Sequence, residues 1–293
     1  MIYYPPVYLI DFGIIKIRYY SVMYVIGFII SYFLIKKLIK QKKITLSTSQ
    51  FQEFMLIIFL AAIAGARVFY SYFYNLKNTL KNPLIIFDTW KGGMSFHGGF
   101  IGAVLTGAIY AKIKKLPILK LLDIAMPALA LSLFFGRIGN FLNGELYGRI
   151  APASFPFAIY YATAPDKGML PRYPSELFQA AQELITFIIL WLIITRVSKK
   201  SKEGFYFTKK LRPGFLFGLF ILIYGAGRFT LEFFRQPDPQ MGIGGFYLGW
   251  MSAGQILCSI MVVFSIFYFY FLYTKKERNI FIRAFKKIMP KKE

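Results

Sequence analysis

Residues 19–43 read YYSVMYVIGFIISYFLIKKLIKQKK and begin with a long apolar run that ends in a cluster of lysines. An α-helix needs about 20 mostly apolar residues to cross the hydrocarbon layer of a bilayer, and this stretch supplies them. Lysines follow the run, where a cleavable signal peptide would carry small residues before its cleavage site. Positive charge accumulates on the cytoplasmic side of membrane helices. The stretch therefore predicts a retained membrane helix whose N-terminus faces outward.

The whole chain has the composition of a membrane protein. Of its 293 residues, 57% are hydrophobic and 17% are charged, whereas about 25% charged residues is usual in soluble domains. This content excludes a disordered chain, and the single cysteine, Cys258, excludes a disulfide-stapled fold. Seven long apolar runs lie at Tyr19–Leu38, Phe54–Tyr74, Met94–Ala111, Leu116–Phe135, Leu177–Thr195, Gly214–Phe233 and Phe246–Tyr273. We predict an all-α polytopic membrane protein with seven transmembrane helices, in which residues 1–293 form a single integral membrane domain.

The distribution of positive charge orients these helices. The formal net charge is +23, and 24 of the 36 lysines and arginines fall in the four segments that an outward N-terminus places inside. Those segments are 36–53, 112–123, 196–212 and 274–293. The positive-inside rule then predicts an extracytoplasmic N-terminus and a cytoplasmic C-terminus, with contact to anionic membrane lipid. Because the basic residues are divided among four loops, we predict no nucleic-acid partner.

Polar residues gather at the helix ends that this orientation places outside. They are Tyr20, Arg67, His97, Arg137, Asn140, Asn143, Glu145, Arg228 and Glu232. A charge at membrane depth costs roughly 3 kcal/mol, so the convergence of several such groups on one face predicts a polar cavity near the outer leaflet. The longest outward polar insertion, residues 150–173, predicts a small extracytoplasmic cap.

The densest polar segment is residues 136–149, GRIGNFLNGELYGR. Its glycines disfavour a plain helix, at roughly 1 kcal/mol each, and allow a ligand to approach the backbone. Guanidinium groups match phosphate oxygens in a bidentate way, and Arg137 and Asn140 are spaced to share a helical face. Two interpretations stay open from composition: a capped helix end with a tight loop, or an anion-binding site.

Three further features have both structural and functional interpretations. His97, the single histidine, is either a satisfied hydrogen-bonding group or a proton carrier near neutral pH. Arg228 and Glu232, four residues apart, form either a structural ion pair or part of a site. Cys258 lies deep in the last run and is predicted to be inert packing. One histidine and one cysteine offer no ligand cluster, so we predict no metal.

Several separated motifs now form a recognisable set. They are residues 19–24 (YYSVMY), 65–67 (GAR), 92–99 (GGMSFHGG), 136–145 (GRIGNFLNGE), 172–175 (RYPS) and 232–238 (EFFRQPD). In this order and spacing, from about Tyr19 to Gln255, the chain resembles the bacterial prolipoprotein diacylglyceryl transferases. One departure is visible: Phe178 and Gln179 stand where many members carry a Tyr-Glu pair.

The resemblance implies an enzyme of the bacterial plasma (inner) membrane with its active site toward the outer leaflet. Such enzymes transfer the diacylglyceryl group of phosphatidylglycerol to the lipobox cysteine thiol in the signal peptide of a preprolipoprotein. A thioether forms and glycerol phosphate is released, as the first step of lipoprotein maturation, and the resemblance implies no cofactor. The implied catalytic residues are His97, Arg137, Arg228 and Glu232, and the implied substrate-binding residues are Tyr20, Arg137, Asn140, Glu145, Gly148 and Arg228.

The mechanism expected from these residues is a substitution at the glycerol carbon that bears the phosphodiester. The substrate thiolate is the nucleophile, and His97 is the expected base or proton relay. Arg137 and Arg228 would hold the phosphate and stabilise the departing charge. Orientation of Arg228 is assigned to Glu232, and that of Arg137 to Glu145 with Asn140. Tyr20 would hydrogen-bond the headgroup, and Gly148 would leave room for the lipid.

Two other classes of protein also place charges within a membrane. A transporter or flippase would do so, but transporters often carry an internal repeat, and none is evident in this sequence. A noncatalytic assembly factor would have no use for a cavity rich in arginine. Transfer of a lipid group to a peptide distinguishes the enzyme from both.

Overall fold

The computed structural model describes residues 2–3, 9–11, 16–17, 19–41, 46–88, 93–198, 212–236 and 250–274, and these parts of the chain are mainly helical. The helices are α1 (Tyr19–Gln41), α2 (Thr48–Phe69), α3 (Leu76–Lys81), α4 (Phe96–Ile113), α5 (Ile118–Leu142), α6 (Ser175–Ser198), α7 (Phe215–Leu231) and α8 (Ala253–Tyr273). A π-helical turn, Tyr70–Tyr74, extends α2, and a 3₁₀ helix spans Pro83–Phe87.

Short strands accompany the helices. They are β1 (Ile2–Tyr3), β2 (Ile10–Asp11), β3 (Lys16–Ile17) and β4 (Tyr160–Tyr161). Strands β1 and β4 pair in parallel, with Ile2 opposite Tyr160, and β2 and β3 pair antiparallel, with Ile10 opposite Ile17. The β1–β4 pair ties the N-terminal region to the connection between α5 and α6.

Within the described ranges, six helices are long and apolar enough to cross a membrane: α1, α2 with its π-helical turn, α4, α5, α6 and α8. This confirms a helical chain of the polytopic membrane type. The sixth predicted span corresponds to α7, which is apolar but only 17 residues long. The seventh predicted span begins at Phe246, whereas α8 begins at Ala253, and residues 246–249 lie outside the described part of the chain.

The core lies between α1, α5, α6 and α7. Fully buried apolar side chains from these helices meet there, namely Leu38, Ile124, Leu190 and Leu216. By contrast, large apolar side chains on the opposite faces stay exposed, as Phe33 of α1 (61%) and Phe267 of α8 (58%) show. Such exposure is natural where the surroundings are lipid, because the acyl chains are as apolar as the side chains themselves.

Helices α2 and α4 pack backbone to backbone through glycines. A Cβ atom added at Gly65 of α2 would lie 2.5 Å from the Gly98 carbonyl oxygen of α4, and one at Gly102 would lie 2.6 Å from the Ala61 carbonyl oxygen. Small residues let membrane helices approach this closely. The contact fixes the first turn of α4, in which His97 is the residue beside Gly98.

Helix α5 continues to Leu142, seven residues beyond its predicted end at Phe135. The expectation that the glycines disfavour a helix there was wrong, because the packing of α5 on α1 requires them. A Cβ atom at Gly139 would lie 2.9 Å from Tyr20 Cα, and one at Gly136 would lie 3.2 Å from the Tyr24 ring. Contact with α1 offsets the helical cost of glycine, and Arg137 and Asn140 therefore project from a helix.

A buried carboxylate aligns α7 with α5. Asp123, which is fully buried in α5, accepts hydrogen bonds from the backbone N–H groups of Gly214 (2.7 Å) and Phe217 (3.0 Å). These donors lie at the start of α7, where the N–H groups have no partner within the helix. Asp123 therefore caps α7 from a neighbouring helix, and this fixes the axial position of α7, whose opposite end carries Arg228.

The connection between α5 and α6 is organised by Arg172, which is buried. Its Nε donates to Asp166 Oδ2 (2.9 Å) and its Nη1 to the Gly148 carbonyl (3.2 Å). Burial raises the pKa of Asp166, but the hydrogen bond and positive charge of Arg172 outweigh that effect and hold the pKa below its usual value. The ionised pair therefore stabilises this connection at neutral pH, and that stabilisation is lost as the pH falls through the depressed pKa.

Candidate functional site

A cavity of about 190 Å³ lies where the starts of α4 and α8 meet the ends of α5 and α7 and the π-helical turn. Its charged and polar lining includes His97, Arg137, Arg228, Glu232, Arg235 and Ser252. Its aromatic lining comprises Tyr70, Tyr74, Phe96 and Tyr224. All four predicted catalytic residues, which are spread over 136 positions of sequence, line this one cavity.

His97 is the second residue of α4, and local structure holds it in place. Ser95 caps the helix by accepting a hydrogen bond from the Gly98 N–H (3.4 Å), and the Ser95 N–H donates to the Ala66 carbonyl of α2 (3.0 Å). The Nε2 atom of His97 is buried and has no hydrogen-bond partner among the described residues. Buried polar atoms normally have partners, so this nitrogen is available to a ligand in the cavity.

Glu232 is the centre of an ion-pair cluster that joins α7 to α8. One carboxylate oxygen pairs with Arg228 Nη1, one turn earlier, and the other accepts from Arg235 Nη1 (3.3 Å) and the Ser252 hydroxyl (2.9 Å). Glu232 is 1% exposed. Because breaking a buried ion pair leaves an uncompensated charge, Glu232 holds both arginines in position. The predicted orientation of Arg228 by Glu232 agrees with this geometry.

Arg137 reaches the cavity from the last third of α5. Its Nη1 donates to the Asn140 Oδ1 on the same face (3.4 Å), as their spacing predicts. Arg137, Arg228 and Tyr224 all line the cavity, so the two guanidinium groups converge on one region. Guanidinium forks fit phosphate oxygens, and Glu232, the carboxylate in the lining, already neutralises Arg228. The arrangement can therefore bind one anionic headgroup.

Four predicted substrate-binding residues stand beside the cavity and do not line it: Tyr20, Asn140, Glu145 and Gly148. The Tyr20 N–H donates to Asn143 Oδ1 (3.4 Å), and Asn143 Nδ2 donates to Glu145 Oε1 (3.2 Å). Asn140 therefore contacts Arg137 directly, whereas Glu145 accepts its hydrogen bond from Asn143. These residues support the end of α5, and their contact with substrate stays a prediction.

Gly148 lies where neighbouring backbone leaves no space for a side chain. Its N–H donates to the Tyr173 carbonyl (2.8 Å), and a Cβ atom at this position would lie 2.6 Å from the Phe234 carbonyl oxygen. The segments that contain Gly148, Tyr173 and Phe234 therefore meet at this glycine. Phe234 lies between Glu232 and Arg235 of the ion-pair cluster in sequence. Whether a lipid also approaches here stays a prediction.

Arg67 has a different role from the arginines of the cavity. Its guanidinium donates to the carbonyl oxygens of Ile86 (3.0 Å), Ile85 (2.5 Å) and Gly93 (3.1 Å). It therefore holds the connection before α4, and it is not a lining residue of the cavity. Cys258 is fully buried and carries a free thiol, which is compatible with the predicted packing role.

The cavity also contains residues that the sequence interpretation did not select. Tyr70 and Tyr74 face it from the π-helical turn, and Ser252 and Tyr224 complete it from α8 and α7. Tyrosines are frequent throughout this chain, with 21 in total, so no local pattern distinguishes these three. Arg235 lies in the quoted motif of residues 232–238, and its spacing of three from Glu232 was a usable signal.

Comparisons with known proteins agree with one another. A family model described as prolipoprotein diacylglyceryl transferase matches residues 7–271. The phosphatidylglycerol–prolipoprotein diacylglyceryl transferase of Coxiella burnetii is 37% identical over 282 residues, which cover 95% of this chain and 100% of that protein. The proteins of the same name from Rhodopseudomonas palustris (40% over 260 residues; 87% and 85%) and Desulfotalea psychrophila (38% over 278 residues; 94% and 96%) are similar as well.

Proposed function

The chain belongs to the prolipoprotein diacylglyceryl transferase family, and we infer from this membership that the cavity described above is its active site. The protein is a membrane-bound transferase of lipoprotein biosynthesis. It moves the diacylglyceryl group of phosphatidylglycerol to a prolipoprotein. The observation that supports the location of the site is the meeting of Arg137, Arg228 and the unpartnered Nε2 of His97 in one cavity.

We propose that the reaction is a substitution at the glycerol carbon that bears the phosphodiester. The sulfur of a lipobox cysteine in the signal peptide forms a bond to this carbon while the carbon–oxygen bond to phosphate breaks. The electron pair of that bond leaves with the phosphate as glycerol phosphate, and the thiol proton passes to His97. The products are a thioether and an anion whose charge grows at the phosphate oxygens, which the two guanidinium groups stabilise.

The other predicted site residues hold the two arginines and the end of α5 in position. Glu232 holds Arg228 and Arg235 through the cluster that includes Ser252. Asn140 holds Arg137, while Glu145, Tyr20 and Gly148 keep the end of α5 and its connection in the geometry that admits the headgroup. The nucleophile belongs to the substrate peptide, so the buried Cys258 takes no part in the reaction.

We also propose that the protein has seven spans, with an extracytoplasmic N-terminus and a cytoplasmic C-terminus in a bacterial plasma membrane. The excess of lysine and arginine in the four segments predicted inside supports this orientation. Helix α7 would be the seventh span: its 17 residues extend over about 26 Å, slightly less than the hydrocarbon thickness, and its polar end is sheltered in the cavity. The cavity then opens toward the outer leaflet, beside the cap formed by residues 150–173 within one membrane domain.

The purified full-length protein tests this function directly. It is mixed with phosphatidylglycerol and a peptide that carries a lipobox cysteine, and the peptide mass is followed. We expect a mass gain equal to one diacylglyceryl group and the release of glycerol phosphate in equal amount. A peptide whose cysteine is replaced by serine is the matched control. Absence of a mass gain with folded protein would contradict the proposal.

Replacement of His97 by glutamine tests the assigned proton transfer. Glutamine keeps a hydrogen-bonding side chain but cannot take up the thiol proton, so we expect transfer at pH 7 to fall by about 100-fold or more. Raising the pH toward the thiol pKa of about 8.5 supplies thiolate directly and should restore part of the rate in the variant. A His97→Gln enzyme with a near-native rate and an unchanged pH profile would show that His97 is not the base.

A further inference from the structure

Arg235 is a third arginine in the lining of the cavity, and the mechanism above gives it no contact with substrate. Its side chain is 12% exposed, so it is nearly as buried as that of Arg228 (11%). The two guanidinium groups pair with opposite oxygens of one carboxylate: Arg228 Nη1 pairs with Glu232 Oε2, and Arg235 Nη1 lies 3.3 Å from Glu232 Oε1. The end of α7 therefore brings two arginines, not one, to the wall of the cavity.

Backbone contacts hold Arg235 in this place. Gly148 and Arg235 form an antiparallel bridge between the connection that follows α5 and the chain that follows α7. Beside this bridge, the Arg149 N–H donates to the Phe234 carbonyl (2.9 Å), and the Arg149 Nε donates to the carbonyl of Arg235 itself (3.0 Å). With its backbone fixed in this way and its side chain paired with Glu232, the guanidinium is already in position at the cavity before a ligand binds.

The charge of the lining exceeds the charge of the lipid headgroup. Among the lining residues that the structure describes, Arg137, Arg228 and Arg235 accompany a single carboxylate, that of Glu232. With His97 neutral, the formal excess is two positive charges. The phosphodiester of phosphatidylglycerol carries one negative charge. When the carbon–oxygen bond breaks, its electron pair stays with the phosphate, which then carries two. The excess therefore matches the departing group better than it matches the bound lipid.

We propose that Arg235 contacts the phosphate as a third guanidinium and stabilises the second negative charge, which develops as the carbon–oxygen bond breaks. This inference rests on the proposed function, because the second charge arises only in the transfer reaction. Interactions that strengthen between the bound substrate and the transition state accelerate a reaction, and a preorganised cation at a developing anion is an interaction of this kind. The same contact holds the product, so glycerol phosphate should bind more tightly than an uncleaved phosphodiester.

Two small ligands that differ in charge test this contact. Glycerol phosphate is a monoester whose second pKa is about 6, so it carries nearly two negative charges at about pH 7.5, whereas its methyl ester carries only one. We expect titration calorimetry with the purified full-length enzyme to show at least about 10-fold tighter binding of glycerol phosphate at this pH. At about pH 5, only about one glycerol phosphate in ten has lost its second proton, so this preference should fall toward about 1.

Arg235→Gln should remove most of this preference. At about pH 7.5 we expect the ratio of the two affinities to fall to about 3 or less, while the affinity for the methyl ester changes by less than about 3-fold. Arg149→Gln is the matched control, because it removes an equal charge from a neighbouring arginine that does not line the cavity, and it should keep the native ratio. A purely structural role of Arg235 would weaken the binding of both ligands alike, so the ratio distinguishes contact from support.

Arg235→Lys covers the case of a glutamine variant that does not fold, because it keeps a positive charge opposite Glu232. Lysine lacks the planar fork, so its ratio should lie below the native ratio and above that of Arg235→Gln. A native ratio in either Arg235 variant, equal weakening of both ligands in Arg235→Gln, an equal loss of preference in Arg149→Gln, or a native enzyme without the preference would overturn the contact and leave the proposed function intact. Absence of transfer from phosphatidylglycerol in the mass-gain assay would overturn both.

Discussion

Arg137→Ala and Arg228→Ala are each expected to lower the rate of diacylglyceryl transfer by at least about 100-fold. Both guanidinium groups line one cavity, and loss of a single preorganised donor at a developing anion costs a factor of this size. The two losses should not multiply in the double variant, because both groups act on the same phosphate. The peptide mass-gain assay measures all three rates.

Lysine variants separate charge from geometry at these positions. Arg137→Lys and Arg228→Lys keep a positive charge but lose the planar fork, so their rates should lie between those of the native enzyme and the alanine variants. Arg196→Ala removes an exposed arginine near the end of α6 and should leave the rate unchanged. A near-native rate in either cavity alanine variant would refute the assignment of a phosphate clamp.

Glu232→Gln is expected to lower both stability and activity. The substitution is nearly isosteric but removes the charge that faces Arg228 and Arg235 at a 1% exposed position. Removing one partner of a buried ion pair typically destabilises a protein by about 3–5 kcal/mol. The two guanidinium groups would then repel each other, so Arg228 would move from its position and transfer would fall. Thermal unfolding in detergent and the transfer assay measure the two effects.

Ser252→Ala is the matched control for this cluster. It removes the hydroxyl that donates to Glu232 (2.9 Å) and that also caps α8 by accepting from the Gln255 N–H (3.2 Å), and it leaves the charges in place. A loss of about 1–2 kcal/mol is expected for the hydrogen bond and the helix cap together, with most of the activity retained. If Glu232→Gln behaved like Ser252→Ala in both measurements, the cluster would not have the positioning role assigned to it.

Most of the membrane architecture could be predicted from the sequence. The runs that begin at Tyr19 and Leu177 each became one long helix, because about 20 apolar residues in lipid must satisfy their own backbone hydrogen bonds. The four catalytic candidates also came from the sequence, through motifs separated by long stretches of chain. The end of α5 was predicted wrongly, since the helical cost of Gly136 and Gly139 is local while the α1 contact that offsets it is not.

The structural or functional role of each polar residue was harder to predict from the sequence. Arg67 and Arg137 both lie near helix ends that the charge pattern places outside, yet Arg67 bonds three backbone carbonyls and Arg137 lines the cavity. Nothing in their neighbouring residues distinguishes them. Glu183 is likewise only a polar residue in an apolar run, and its burial on α6 (2% exposed) is visible only in the structure.

Membrane insertion, family membership and the polar residue types at the helix ends could be read from the amino-acid sequence. Helix formation in lipid and the charge that flanks each helix depend on short stretches of sequence, so both can be predicted from the sequence. The meeting of His97, Arg137, Arg228 and Glu232 in one cavity, by contrast, is visible only in the tertiary structure. These residues come together through contacts between helices. Such contacts depend on packing and on the pairing of buried charges between residues far apart in sequence, so a local sequence pattern does not predict them.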